Sequence, residues 1–192
     1  MLYTPKNFTQ LLGMEGFSDQ LLKNHFTLYE GYAKNTNTLL EKLPVLDPGS
    51  PEFNELNRRF GWEFNGMRLH EIYFENLSKE NTSLDSGHPL AKKIDECFGS
   101  FEKWQMHFNG MGTIRGIGWV LLYYDTEMKR LFNVWIDEHD RNHLAGEAPI
   151  LLMDMWEHAF MIDYGLDKKG YIGAFLKNAN WRIAMERFNM AK

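Results

Sequence analysis

An aspartate and a histidine four residues apart bound the core of the segment Asp154-Met155-Trp156-Glu157-His158-Ala159-Phe160. The residues just before it, 149–153, are apolar and have the length of a buried strand. A carboxylate at the end of such a strand, followed by an imidazole entering a helix, predicts two metal-competent groups on one side of a strand-to-helix turn. Carboxylate and imidazole together suit a first-row transition metal such as iron or manganese, because neither is a soft thiolate. Two ligands need companions, and the seven histidines of the chain (His25, His70, His88, His107, His139, His143 and His158) are where to look for them.

The elements that must position these groups can be read from periodicity and breakers. Apolar residues recur at helical spacing over 16–43 (Leu21, Leu22, Phe26, Tyr29, Tyr32, Leu39, Leu40, Leu43), which predicts one long helix with Ser18 as a cap. Pro44 and the Asp47-Pro48-Gly49-Ser50-Pro51 cluster break it, and a second long helix follows over 51–77 with Pro51 in its first turn. Two long helices across a short loop form an antiparallel hairpin. The polar segment 78–87 marks the boundary between two units, 1–82 and 83–192. Shorter helices follow at 89–98 and 101–111. The runs 119–124 and 131–136 read as a β-hairpin, and 149–153 as the third strand of a small antiparallel sheet. Helices resume at 156–164, 169–178 and 181–190. The fold class is α+β: a helical hairpin followed by an α/β domain with a three-stranded antiparallel sheet.

Composition narrows the function. With 192 residues, 44% hydrophobic and 15% aromatic, the chain can bury a substantial core. Its 21 basic and 26 acidic residues leave a net charge of −5, and no basic cluster supports nucleic-acid binding. A single cysteine, Cys97, excludes an internal disulfide and a zinc–thiolate site within one chain, as suits a reducing compartment. The N-terminus lacks the pattern of a signal peptide, and no apolar stretch reaches the ~18 residues of a membrane span. The expectation is a cytoplasmic protein without membrane or nucleic-acid partners.

Among the histidines, His88 in the polar segment and His107 in a charged amphipathic helix read as surface residues. His25 and His70 lie one on each hairpin helix. A lone helix histidine is more often packing or surface than ligand. If both face the Asp154/His158 pair, however, three nitrogens and one oxygen would surround one metal and leave an open position, as catalytic sites do.

The segment around Asp154 and His158 resembles the C-terminal metal-binding signature of the iron/manganese superoxide dismutases. The segment from Asn65 to Leu77 is similar to the family's second-helix stretch around a ligand histidine. Phe98-Gly99-Ser100-Phe101, Gly116-Ile117-Gly118-Trp119 and Asn180-Trp181 resemble further signposts in the family's order. The resemblance implies metal ligands His25, His70, Asp154 and His158, with one iron or manganese per subunit. It also implies an aromatic wall of Trp119, Trp156 and Phe74, with Tyr73 beside it, excluding bulk water. The implied reaction converts superoxide to dioxygen and hydrogen peroxide as the metal alternates between trivalent and divalent states, with protons arriving through a His139/Tyr32 network. Its implied partner is a second copy of the chain, in a homodimer or homotetramer bridged by Glu157.

In this family a polar side chain from the second helix or from the loop before the last strand tunes the metal. The matching helix position is Gly66 here, and the resemblance places His139 at the loop position, where it could tune the metal or be a surface loop histidine; His143 is read as structural. The first motif departs furthest from the family. Family members place a histidine four residues and a tyrosine eight residues after the first ligand, whereas here Tyr29 and Tyr32 follow His25 by four and seven. An ungapped match would put Asn24 at the ligand position; imidazole favours His25, with Tyr32 as gateway tyrosine and Tyr29 replacing the gateway histidine. Met161 stands where the family has a tyrosine that meets this histidine from the partner subunit, and Lys168 where an arginine is usual. Lys34 is a candidate for attracting the anionic substrate. The altered gateway keeps a competing reading open: a non-catalytic metal-binding relative acting as metal store or interaction scaffold.

Overall fold

A computed structural model describes all 192 residues. Helix α1, Asp19–Lys42, starts where Ser18 Oγ accepts a hydrogen bond from the Leu21 amide at 3.1 Å, pairing one of the amides a helix start leaves open. Its buried face carries Leu21, Leu22, His25, Phe26, Tyr29 and Ala33, and it runs without a π turn. The chain reverses through a 3-10 turn, Leu43–Val45, and re-enters a helix at α2, Pro51–Glu75, capped by Ser50 and opened by proline at its first position. The two helices pack as the expected hairpin.

Helices α3, Pro89–Phe98, and α4, Phe101–Gly112, follow. His88 is not a free surface residue. Its Nδ1 accepts from the Leu90 amide at 3.1 Å, making it the N-cap of α3, and its Nε2 meets the Asn189 side chain. Tertiary packing and the open helix start recruit a residue that local polarity assigns to solvent. His107 is exposed, as expected.

Strands β1, Gly118–Asp125, β2, Arg130–Asp137, and β3, Ala148–Asp154, form an antiparallel sheet with β1 central. At the edge of β1, a side chain on Gly118 would collide with the Ile136 carbonyl, so only glycine lets the strands meet there. After β3 the expected helix over 156–164 is broken in two. The Trp156 amide turns back to Asp154 Oδ1 at 2.7 Å, residues Glu157–Ala159 make one 3-10 turn, and Phe160 leaves helical geometry at φ −144° before the short α5, Met161–Tyr164. Helices α6, Lys168–Lys177, and α7, Trp181–Ala191, complete the chain.

The N-terminal part of the chain is tied to the C-terminal part at several points. Buried Asn76, at the end of α2, accepts the Leu152 amide of β3 at 3.0 Å, and its carbonyl accepts from Asn180 at 2.7 Å. Asp163 Oδ2 accepts the Ser18 amide, and the Tyr164 hydroxyl donates to the Gly16 carbonyl. One core cluster of 40 buried residues runs through both halves.

Across the hairpin, buried Tyr29 donates to Glu71 Oε1 at 2.9 Å and accepts from the Lys6 amide at 2.9 Å. Tyr29→Phe removes the partner of Glu71 Oε1 and of the Lys6 amide, although Arg68 still pairs the other Glu71 oxygen, so urea unfolding should show a loss of about 1–3 kcal/mol.

Candidate metal centre

Four elements converge on one point. His25 comes from α1, His70 from α2, Asp154 from the last residue of β3 and His158 from the 3-10 turn after it. One donor atom from each lies within 4.8 Å of all the others. His25, His70 and Asp154 are fully buried, whereas His158 keeps 24% of its side chain exposed. Asn24 lies on the exposed side of α1, bonded to Gln20, so the turn of the helix selects His25 over its neighbour.

Asp154 is the hub. Its Oδ1 holds the chain turn through the Trp156 amide, while its Oδ2 stands 3.1 Å from His25 Nε2, 3.2 Å from His158 Nε2 and 3.8 Å from His70 Nε2. The His70 and His158 Nε2 atoms are 3.4 Å apart. Donors each about 2.1 Å from a shared ion are spaced roughly 3–4 Å from one another, and these spacings fit that arrangement. His25 adds a sharper test. Its 3.1 Å approach to Asp154 lacks hydrogen-bond geometry, so both its ring nitrogens are buried without a partner. An orphaned buried imidazole costs stability in a metal-free protein, and a cation at Nε2 removes much of that cost.

The tautomers fit as well. His70 Nδ1 lies 2.6 Å from the Gly66 carbonyl, which can only accept, so the proton sits on Nδ1 and the Nε2 lone pair faces the cluster. Burial lowers the His25 pKa to about 4 and holds His70 well below the usual imidazole range, which keeps both neutral and able to ligate. Burial pushes the Asp154 carboxyl up, but the imidazoles facing it, His158 foremost through attraction and its hydrogen bond, hold it below the usual carboxylate range. The cluster is able to hold one metal ion.

Around it stand aromatic rings. Trp119 meets His70 edge-on at 5.0 Å, Phe74 meets His25 at 4.9 Å, and Trp156 stacks on His158 at 5.7 Å. Tyr73 is buried against His25 and bonded to Tyr171, whose hydroxyl donates to the Asp154 carbonyl. His139 is fully buried, stacked on Trp156 at 4.5 Å and met edge-on by Trp62 at 5.1 Å. Its Nδ1 accepts from Trp119 Nε1 at 3.1 Å, so in the neutral ring the proton lies on Nε2, which donates to the Tyr32 hydroxyl at 2.8 Å. His143 supports it from behind, donating through Nε2 to the His139 carbonyl at 2.8 Å.

The family model for "Iron/manganese superoxide dismutases, C-terminal domain" matches residues 86–187, more than half of the chain. The chain belongs to the iron/manganese superoxide dismutase family. Among its relatives, "Superoxide dismutase [Fe]" of Cupriavidus metallidurans is 39% identical over 184 residues, covering 93% of this chain and 91% of that one. "Superoxide dismutase [Mn] 2" of Haloferax volcanii is 34% identical over 178 residues, covering 91% and 88%. "Superoxide dismutase [Fe]" of Aquifex aeolicus is 31% identical over 196 residues, covering 97% and 91%.

Two positions look different in three dimensions. The Tyr29 hydroxyl is committed to Glu71 and Lys6 in the core and makes no hydrogen bond to Tyr32, so it does not line a gateway as a replacement for the family's histidine. Gly66 is obligatory: a Cβ there would come within 2.6 Å of the Tyr32 ring. The ring of Tyr32 covers the helix position from which a longer side chain would otherwise reach the site. Trp62 was not apparent from the motifs, although its spacing of four residues from Gly66 and eight from His70 puts it on their helical face.

Metal-free protein should lose stability as pH falls from about 6.5 toward 4. The unfolded chain takes up protons there that native His25 and His139, with pKa values of about 4, refuse. Urea midpoints of metal-free protein at pH 7.5 and pH 5 measure this; an unchanged midpoint contradicts it.

Proposed function

We infer that this chain is a superoxide dismutase that uses one iron or manganese held by His25, His70, Asp154 and His158. The observation that carries this reading is the closed three-nitrogen, one-oxygen cluster with its orphaned His25, in a chain whose relatives carry that name. When bound, the metal supplies reversible one-electron transfer between trivalent and divalent states, so that one superoxide leaves as dioxygen and another as hydrogen peroxide.

The protein's own groups then handle exclusion and protons. Trp119, Trp156, Trp62 and Phe74 keep bulk water from the buried donors. Burial raises the Tyr32 phenol above its usual range, so at neutral pH its hydroxyl keeps its proton. Because His139 Nε2–H donates to the Tyr32 oxygen, the phenolic hydrogen is left to point away from His139. Tyr32 is thus the immediate proton donor, and His139 orients it and can replace what it gives. Trp119 fixes the His139 tautomer on which that order depends.

The ligands divide evenly between the unit at 1–82 and the unit at 83–192, so their docking assembles the centre. A second copy completes its outer side. Glu157 is exposed next to His158, whose Nδ1 has no hydrogen-bond partner within the chain, and Met161, Ile162 and Leu166 are exposed nearby. These features support a homodimer, or a homotetramer of such dimers, with Glu157 reaching the partner's ligand histidine. No helix is long and apolar enough to cross a membrane. The lone half-buried thiol Cys97 supports a reducing, cytoplasmic setting.

Superoxide loss per bound metal, with iron and manganese quantified, tests the activity. High turnover is expected with one of the two, whereas bound metal with negligible turnover would leave only a metal-binding relative. Tyr32→Phe should keep one metal per chain and lower turnover about tenfold or more. Glu157→Ala should sediment as a smaller species than the parent; unchanged sedimentation removes the bridge.

A further inference from the structure

The substrate is an anion and the chain carries a net charge of −5, so a local positive field is needed at the mouth of the site. Lys34, the expected candidate, is exposed on α1 and makes no cation–π or ion-pair contact with the wall. A different cation is built into it. Arg59, Trp62, Glu63, Gly66 and His70 follow one face of α2 toward the centre. The Arg59 guanidinium lies 5.0 Å above the Trp62 ring, and that ring packs on His139 at 5.1 Å and on Trp156 at 6.0 Å.

Glu63 anchors this cation. Arg59 Nε and Nη2 both lie 2.7 Å from Glu63 Oε1, and Asn35 holds the other carboxylate oxygen at 3.1 Å. The pair is formally neutral but turned outward: the arginine side chain is 49% exposed and the glutamate 4%. An anion arriving from solvent meets the guanidinium first, with Nη1 unpaired, while the carboxylate sits behind it.

Resting on the dismutase reading above, we propose that Arg59, braced by Glu63 and Trp62, is the residue that draws superoxide to the mouth beside Tyr32 and His139. It is a positioning residue that acts before chemistry, through a field that salt screens over about 10 Å.

The test is kcat/KM for superoxide against ionic strength, measured on metal-loaded protein for the parent, Arg59→Gln, Arg59→Lys and Glu63→Gln, with metal content determined for each. Arg59→Gln should be at least about threefold slower at low ionic strength, with the gap closing as salt rises. Arg59→Lys keeps the charge and should keep the salt dependence. Glu63→Gln exposes the cation's full charge and should match or exceed the parent at low salt, with a steeper salt dependence. A loss in Arg59→Gln that is the same at every ionic strength, no loss at all, or a parallel loss in Glu63→Gln would overturn the proposal. A metal-loaded parent with no turnover would instead remove the dismutase reading, and this inference with it.

Discussion

The structure depends on one carboxylate. A charge at the end of a buried strand is costly unless it is paired, and Asp154 is fully buried with its Oδ2 facing three imidazoles. Neutral imidazoles cannot balance it fully, and the His25 nitrogens have nothing else to bond. The interior is therefore organised for a cation. Each neighbouring element acts on that centre: the α1–α2 hairpin supplies two histidines, Asn76 fastens the hairpin to β3, and the Asp154 Oδ1 turn swings His158 back over the aspartate.

A second layer sets direction. Trp119 donates to His139 and His139 donates to Tyr32, so a residue on β1 determines which way a proton points on α1. Tyr32 in turn requires Gly66, because its ring occupies the space a side chain there would fill. One constraint thus links the short spacing after His25, the bare helix position and the buried loop histidine. None of the three is independent of the others.

How legible these features are in the sequence depends on how local their causes are. Helix starts at Ser18, Ser50 and Ser100 follow from side chains bonding amides three residues on, and are readable. The Asp154/His158 pair is readable for the same reason, since strand, turn and ligand lie within a few residues. Periodicity places His25 and His70 on buried helix faces, but only the packing of both helices against β3 brings them to the aspartate. The break at Phe160 is hidden because the Trp156 amide is taken by a side chain, which no pattern of apolar residues records. Tyr29 lies outside a local reading too: its partners, Lys6 and Glu71, are 23 and 42 residues away, so spacing from His25 alone points it to a gateway it does not line. The His88 cap is local, reaching the Leu90 amide two residues on, but histidine is not among the residue types that mark a helix start, and its other partner, Asn189, is 101 residues away.

Four side chains from the two halves are arranged to hold one metal ion around Asp154. Anomalous diffraction from crystals of the purified protein, collected at the iron and manganese edges, tests it most directly. One peak per chain, bonded to His25, His70, Asp154 and His158, is the predicted result. A peak elsewhere, or one lacking His25 or Asp154 as a ligand, would contradict it.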